Sequence, residues 1–471
     1  MRRTKIICTL GPAVNSVEKI KNLILSGMDC ARLNFSHGTL KSHKEILDKF
    51  KEAREILDLS IPFLLDTKGP EIRISPFLND EITLKDNDIY VLDTNEELGD
   101  ISRNSTSFKD LYKYVSVGTK LLIDDGKITM EVLDKKGKDI ICKVIHGGVV
   151  SNNKSIAVPD LSIPMEYISE KDKEDILFGI KEGMDYIATS FTRSLEDVRC
   201  IRKLLDENGG EKVKIISKIE NHEGIANLDE IMEASDGIMV ARGDLGVETS
   251  FKEIPKLQKE IIAKCNKSGK IVVTATQMLE SMIHSNVPTR AEVSDVANAI
   301  YDKTSAIMLS GETAMGDFPI EAVKIMSEIA TEIDEGIEYK MNLERNGTLL
   351  EKNKVNATCI AACSAANYLN AKAIVVVTYS SKTANLISDF RPSCPILACV
   401  VDPVGQRQAN LRWGVKPYKA TIAKTSEEIV ELSKNIALKS KVVKKGDPIV
   451  IVLGTDLGKH KENNEIIVCN L

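Results

Sequence analysis

The sequence predicts an α/β chain: a (β/α)8 TIM barrel, a small β-barrel lid domain inserted into it, and an open α/β domain at its C-terminal end. Three observations carry this expectation. Eight short apolar runs alternate with amphipathic, helix-like stretches, and eight parallel strands close a barrel. One connection, from Arg73 to about Pro159, abandons that rhythm for short alternating runs divided by turns. Beyond Thr331 a polar connector, Leu343 to Gly347, leads into a second set of buried strands and helices.

The eight runs are Lys5 to Cys8, Asp29 to Leu33, Pro62 to Leu65, Tyr186 to Thr189, Val213 to Ile216, Gly237 to Val240, Ile271 to Thr274 and Ala306 to Leu309. Each is short and apolar, as a strand covered on both faces must be. In the irregular connection, Ile82 to Leu84, Ile89 to Val91, Leu121 to Ile123, Ile128 to Val132 and Ile140 to Val144 alternate with turn signals such as Asp124-Asp125-Gly126 and Lys135-Lys136-Gly137. Hung on the loop after the third strand, it sits at the barrel's C-terminal face and can act as a lid. An Ala-rich helix from about Val355 to Leu369 opens the last domain, followed by strands at Ala373 to Thr378, Ile396 to Val401, Pro448 to Leu453 and Glu465 to Cys469. The expected domains are residues 1–73 with 160–342 (barrel), 74–159 (lid) and 343–471 (C-terminal).

At 471 residues the chain exceeds one ordinary core. Its 43% hydrophobic and 28% charged content, with a net charge of −6, describes a soluble globular protein. No apolar run approaches the ~18 residues that span a bilayer. The opening MRRTKIICTLGP has too short an apolar stretch for a signal peptide, so a cytoplasmic protein with no membrane partner is expected. The ten cysteines lack metal or redox spacing, and the six histidines form no cluster, which argues against zinc. Mild acidity without a basic, aromatic-interleaved run argues against nucleic acid.

A barrel should gather its chemistry just after its strands. The stretch Lys214 to Gly224, KIISKIENHEG, places Lys218 and Glu220 on one side if the chain stays extended, because strand side chains alternate with period two. Alone, it reads more readily as an exposed ion pair beyond a core strand. Its neighbours decide otherwise. The second strand runs into Arg32, Asn34 and Ser36, the third into Asp66-Thr67-Lys68-Gly69-Pro70-Glu71-Ile72-Arg73, and the fourth into Ser190-Phe191. The sixth ends in Ala241-Arg242-Gly243-Asp244-Leu245-Gly246, the seventh in Thr276-Gln277 and the eighth in Ser310-Gly311-Glu312-Thr313.

These groups sort by chemistry. Glu220 and Asp244 are hard oxygen donors, few enough to leave positions for water and substrate, which suits Mg2+ or Mn2+. Gly243 lets a ligand approach backbone N–H groups at the start of a helix. Arg32, Arg73 and Lys218 are cationic donors for phosphate, and Asn34, Ser36, Asp66 and Thr67 offer oxygens for a monovalent cation. Together they point to phosphoryl transfer on a small carboxylate-bearing substrate, with charge rather than covalent help from the protein. No Walker A pattern and no Gly-rich kinase loop with HRD and DFG companions is present, so side chains and metal must hold the phosphates.

ARLNFSHG, LLDTKGPEIR, IISKIENHEG, IMVARGDLGVE, TATQMLESM and MLSGETAMGDFP, in this order and spacing, resemble the pyruvate kinase family across the whole chain. The resemblance implies conversion of phosphoenolpyruvate and ADP to pyruvate and ATP in glycolysis, by a homotetramer with a regulatory C-terminal domain. It makes Lys218 the transition-state stabiliser, Glu220 and Asp244 the Mg2+ ligands, and Gly243, Asp244 and Thr276 holders of the substrate with Arg32 on its phosphate. It places Arg73 and the lid's Lys154, with Asn34, at the nucleotide, and makes Asn34, Ser36, Asp66 and Thr67 the K+ site. Thr276 and Ser310 are the candidates for delivering a proton through water. Glu71 matches potassium-requiring members, although Ile74 replaces a frequent hydroxyl residue. Ser155, Ala157 and Asp160 replace residues common around Lys154. In the last domain Thr378, Ser380, Ser381, Lys382 and Thr383 follow a strand and open a helix, a placement suited to an effector phosphate; the family often has glycine where Ser381 stands, and the loop Gly454 to Lys459 lacks the usual pattern.

A metal-dependent lyase or aldolase could share Glu220 and Asp244, and a metabolite sensor could be built on the last domain alone. A lysine flanked by two carboxylates stays protonated, unlike a Schiff-base former, and an aldolase has no need of Arg73 and Lys154 beneath a lid. ADP-dependent formation of pyruvate separates the three readings.

Overall fold

The computed structural model describes residues 1–95, 97–159, 161, 163–337, 353–421, 425–453 and 465–471. The connector Leu343 to Gly347, Asp160 and the loop Gly454 to Lys459 lie outside the described residues. No helix among the described residues is long and apolar enough to cross a membrane.

Eight parallel strands, Lys5–Thr9, Cys30–Asn34, Phe63–Asp66, Tyr186–Thr189, Lys214–Ile219, Gly237–Ala241, Ile271–Ala275 and Ala306–Leu309, close a barrel in chain order, the first pairing with both the second and the last. Helices return the chain between strands, several starting at a side-chain cap: Ser194 accepts from the Asp197 N–H, and Thr289 forms a capping box with Glu292. The fifth strand differs from expectation by running on to Ile219 rather than stopping at Ile216. Its ladder with the sixth strand continues through Lys218 opposite Met239, so a polar side chain here does not end the strand.

That continuation positions the chemistry. Ile7, Cys30, Leu64, Tyr186, Ala188, Ile216, Met239, Ala275 and Met308 fill the barrel interior, while their neighbours, such as Ile6, Ile215 and Ile238, pack outward in the cluster shared with the helices. Because side chains alternate, the residue two places beyond an inward one points inward again, higher up. Thr9, Arg32, Asp66, Ser190, Lys218, Ala241 and Ser310 are those residues. The barrel's apolar floor thus dictates which polar side chains line its mouth.

The insertion leaves after Asp66 and returns before Tyr186. Seven strands form one sheet, ordered Ile72–Arg73, Ser155–Ala157, Lys120–Ile123, Ile128–Lys136, Asp139–His146, Ile89–Asp93 and Arg103–Ser105, and Glu81–Leu84 pairs with Gly148–Ser151 beside it. The two sheets share one apolar core around Tyr90, Leu92, Met130 and Val144.

The C-terminal sheet has the order Val415–Lys419, Ile396–Val400, Ala373–Thr378, Pro448–Leu453 and Glu465–Asn470, parallel except for the last strand. Val415–Lys419 was not expected from the sequence. It carries Pro417 and is buried only at Val415, as an edge strand tolerates. This domain seats against the N-terminal ends of the barrel strands. Leu411 joins the barrel-interior cluster, fully buried. Around it Tyr186 donates its hydroxyl to the Gln408 carbonyl at 2.7 Å, Arg407 Nε lies 2.9 Å from Asp185 Oδ1, and Lys5 Nζ donates to the Val415 carbonyl at 2.6 Å.

Candidate active site

At the opposite, C-terminal mouth the rim and the lid enclose a cleft of about 770 Å3. Of the residues singled out in the sequence, it is lined by Arg32, Asn34, Ser36, Arg73, Lys154, Lys218, Glu220, Gly243, Asp244, Thr276 and Ser310. Asp66 and Thr67 stand just behind its wall, buried. A second cavity of about 460 Å3 adjoins it below the lid and shares Glu71 and Asp244, but holds neither Lys218 nor Arg32.

The centre is a buried chain of charges. Lys218 Nζ donates to Ser190 Oγ at 2.7 Å and to Asp66 Oδ1 at 3.2 Å, and lies 2.9 Å from Glu220 Oε1. Arg32 Nε donates to the other Asp66 oxygen at 2.7 Å, and its Nη1 donates to Thr9 Oγ1 at 2.8 Å. Two cations and two carboxylates are therefore held together at 8%, 6%, 0% and 0% exposure for Lys218, Arg32, Asp66 and Glu220, where an unpaired charge would be costly. Burial acts to lower the Lys218 ammonium, but Asp66, Glu220 and Asp244 outweigh it and hold it above the ordinary lysine range. Burial acts to raise the Asp66 carboxyl, and Arg32 and Lys218 overcome that and hold it low. Lys218 is thus a fixed cation, unsuited to nucleophilic work.

Glu220 is different. Burial pushes its carboxyl up, with Lys218 opposing and Asp244 adding to the rise. Oε2 accepts the Phe191 N–H at 2.6 Å, whereas Oε1 lies near Lys218 but off the line of a hydrogen bond, leaving a buried oxygen without a hydrogen-bond partner. An oxygen left over, in a cleft that Asp244 also lines, fits a hard divalent cation. Among the described residues no group of three or more His, Cys, Asp and Glu side chains could enclose a metal, so any ion here keeps positions for water and substrate.

The monovalent donors are more occupied. Asn34 Oδ1 accepts the Ser36 N–H at 3.1 Å, and Thr67 Oγ1 accepts the Ser190 N–H at 3.1 Å. Both Asp66 oxygens already meet Arg32 and Lys218. On the lid side, Arg73 pairs with Glu71 at 2.6 Å and donates to the Asn153 carbonyl at 2.9 Å, and Lys154 pairs with Asp124 at 2.8 Å. Burial raises the Glu71 carboxyl, against the pull of Arg73.

Thr276 and its successor Gln277 have φ of +67° and +54°, a left-handed conformation that a β-branched residue adopts only under constraint. Thr276 Oγ1 accepts the Gly243 N–H at 2.8 Å and donates to the Ala275 carbonyl at 2.6 Å. A Cβ on Gly243 would lie 3.4 Å from that hydroxyl, an ordinary contact, so packing alone does not demand glycine there. Ser310 Oγ is buried without a hydrogen-bond partner. Its N–H, and that of Leu279, are both accepted by the buried Glu312, which ties the seventh and eighth strand ends together.

The effector candidates lie far along the chain, at the end of Ala373–Thr378. Ser381 has φ +61° and caps Lys382–Asp389 without a side-chain bond, a left-handed backbone that glycine adopts most readily. Ser381 and Thr383 are buried, Ser380 half-buried and Lys382 exposed.

Sequence reasoning gave no part to Thr9, the inward residue two beyond Ile7, and placed Ser190 at its strand end without a role as the Lys218 acceptor. Period-two counting from the floor finds both. Arg242 was passed over because what it touches, the turn after the seventh strand and the helix Arg290–Tyr301, is remote from it in sequence.

A (β/α)8 barrel with a buried lysine, paired carboxylates and further cations under a lid defines a phosphotransferase for small anionic substrates. Comparison with known proteins narrows this. Residues 1–323 match the family model for the pyruvate kinase barrel domain, and residues 356–469 that for the pyruvate kinase alpha/beta domain. The chain is 44% identical over 465 residues to the pyruvate kinase of Geobacillus stearothermophilus, covering 98% of this chain and 79% of that one. It is 43% identical over 460 residues to that of Clostridium perfringens, covering 96% of each. The crystal structure of a pyruvate kinase from Cryptosporidium parvum matches with a TM-score of 0.92 at 39% identity, covering 100% of this chain and 96% of that one. The chain belongs to the pyruvate kinase family. Its reaction is the glycolytic transfer of the phosphoryl group of phosphoenolpyruvate to ADP, giving pyruvate and ATP.

Proposed function

We propose that the Lys218 ammonium carries the reaction by neutralising the phosphoryl group in flight, with Arg32 on the same group and Glu220 and Asp244 as the ligands of Mg2+ or Mn2+. The observation behind this reading is the buried Lys218, 2.9 Å from Glu220 and linked through Asp66 to Arg32. In the transfer, the bond from phosphorus to the enol oxygen breaks and one to a terminal ADP oxygen forms. Charge spreads over the equatorial phosphoryl oxygens, where fixed cations stabilise the transition state more than the ground state. Held by Glu220 and Asp244, a divalent cation would supply further positive charge to the transition state. The enolate left behind takes a proton at its methylene carbon, from Thr276 or Ser310 through water. Gly243 and Thr276 hold the substrate's carboxylate end.

On the lid side, Asn34, Arg73 and Lys154 receive the nucleotide, whose phosphates displace Glu71 and Asp124 from the two cations. We assign K+ to Asn34, Ser36, Asp66 and Thr67, and Glu71 favours a requirement for it. Mg2+ and K+ are thus the proposed cofactors. Thr378, Ser380, Ser381, Lys382 and Thr383 are proposed to take an effector phosphate, and the working form is proposed to be a cytoplasmic homotetramer, as is usual in the family.

Titration with Mn2+, followed by paramagnetic relaxation of water, tests the metal assignment. Glu220→Gln and Asp244→Asn are each expected to weaken Mn2+ binding by about tenfold or more. Unchanged affinity in both variants removes the assignment.

A further inference from the structure

The left-handed turn at Thr276 and Gln277 needs an explanation. Non-glycine residues in that conformation are strained and persist only when their surroundings over-determine them. One side chain supplies most of that constraint. Arg242 Nη2 donates to the Thr276 carbonyl at 2.7 Å and to the Gln277 carbonyl at 3.3 Å. Its Nη1 meets Asp295 at 2.7 Å to one oxygen and 2.8 Å to the other. Asp295 stands on the helix Arg290–Tyr301, which connects the seventh and eighth strands. The next residue after Arg242 completes the grip, because the Gly243 N–H donates to Thr276 Oγ1. The sixth strand's end therefore holds Thr276 twice, by its carbonyl and by its hydroxyl.

We infer that Arg242, anchored by Asp295, is a positioning residue for the reaction: its guanidinium braces the left-handed turn and so aims the Thr276 hydroxyl into the cleft. This rests on the reading above that Thr276 works at the substrate. Only a planar fork spans two carbonyls on one side and a carboxylate on the other, and an ammonium is a single point. The role also accounts for a cation that lines the cleft yet is only 10% exposed along its side chain, with its charge turned to backbone and Asp295. Without the brace, the turn relaxes toward negative φ and carries the hydroxyl away from Gly243.

A double-mutant cycle in the full-length enzyme tests the inference. Two rates are read: exchange of pyruvate methyl hydrogens with solvent deuterium, which reports the proton step, and kcat for ATP formation. Thr276→Ala and Arg242→Met are each expected to lower both by about 10²-fold, the lower end for positioned proton transfer. Because Thr276 also holds the substrate's carboxylate end, KM for phosphoenolpyruvate should rise, but by less than kcat falls, a split that general loss of structure does not produce. The double variant should be no worse than the poorer single one, because both changes remove one device. Asp295→Asn should follow in the same direction by about tenfold, and it carries the same cycle if Arg242→Met does not fold. If the losses multiply instead, Arg242 does not act through Thr276 and the inference falls while the role of Thr276 stands. If Thr276→Ala retains full exchange and kcat, the role of Thr276 falls, and the inference with it.

Discussion

Single residues in this chain take their properties from what is buried beside them. Lys218 remains charged because three carboxylates outweigh its desolvation, and Asp389 shows the opposite balance. Asp389 lies where the C-terminal domain meets the barrel, 3.3 Å from Arg412, with Arg391 also near. Burial pushes its carboxyl up to about 6 from 3.8, more than the two arginines pull it down. Between those values the folded chain keeps a proton that the unfolded chain has released. Stability contributed by this group is therefore fully present below pH 3.8, declines as pH rises toward about 6, and is absent above it. The decline should be about 1–3 kcal/mol, nearer the lower figure because the side chain is 19% exposed. Asp389→Asn, which cannot ionise, should flatten that part of the pH dependence and raise the thermal midpoint at pH 7 relative to the parent chain. Parallel midpoint curves for the two proteins across pH 4–7 would contradict this.

Elements were legible in the sequence wherever burial on both faces wrote a continuous apolar run. All eight barrel strands stand where such runs do, within a few residues at their ends. Val415–Lys419 escaped because an edge strand alternates and carries proline. The inward set at the mouth was equally readable, since period two projects Arg32 from Cys30 and Lys218 from Ile216. Contacts between elements were not readable. Nothing near Arg242 in sequence announces that it will brace a turn thirty-odd residues on, and nothing near Leu411 announces that it will close the floor of another domain. Leu411→Ala tests that closure. Its side chain is wholly buried among Tyr186, Ile216 and Met239, so urea unfolding should show a loss of about 2–5 kcal/mol. A loss below about 0.5 kcal/mol would mean that the floor is sealed without it.

At the scale of the whole molecule, the barrel is a sleeve with one occupied end and one working end. The C-terminal domain caps the lower opening through Leu411, the Arg407 to Asp185 ion pair and the Tyr186 to Gln408 bond. The helix Pro403–Ala409 that supplies Arg407 and Gln408 begins against the loop after Ala373–Thr378, where the Asp402 N–H donates to the Tyr379 carbonyl at 2.9 Å. An effector held at that loop would therefore press on the segment that fills the barrel floor. At the upper opening the lid brings Lys154 to the rim carrying Lys218, and the charge proposed to serve the transfer comes from separate strands. The account as a whole depends on that assembled charge acting on the phosphoryl group in flight. Steady-state kinetics of Lys218→Met measures this most directly: kcat should fall by about 10³-fold or more while the affinity for phosphoenolpyruvate changes far less. An unchanged kcat, or a loss confined to KM, would contradict it.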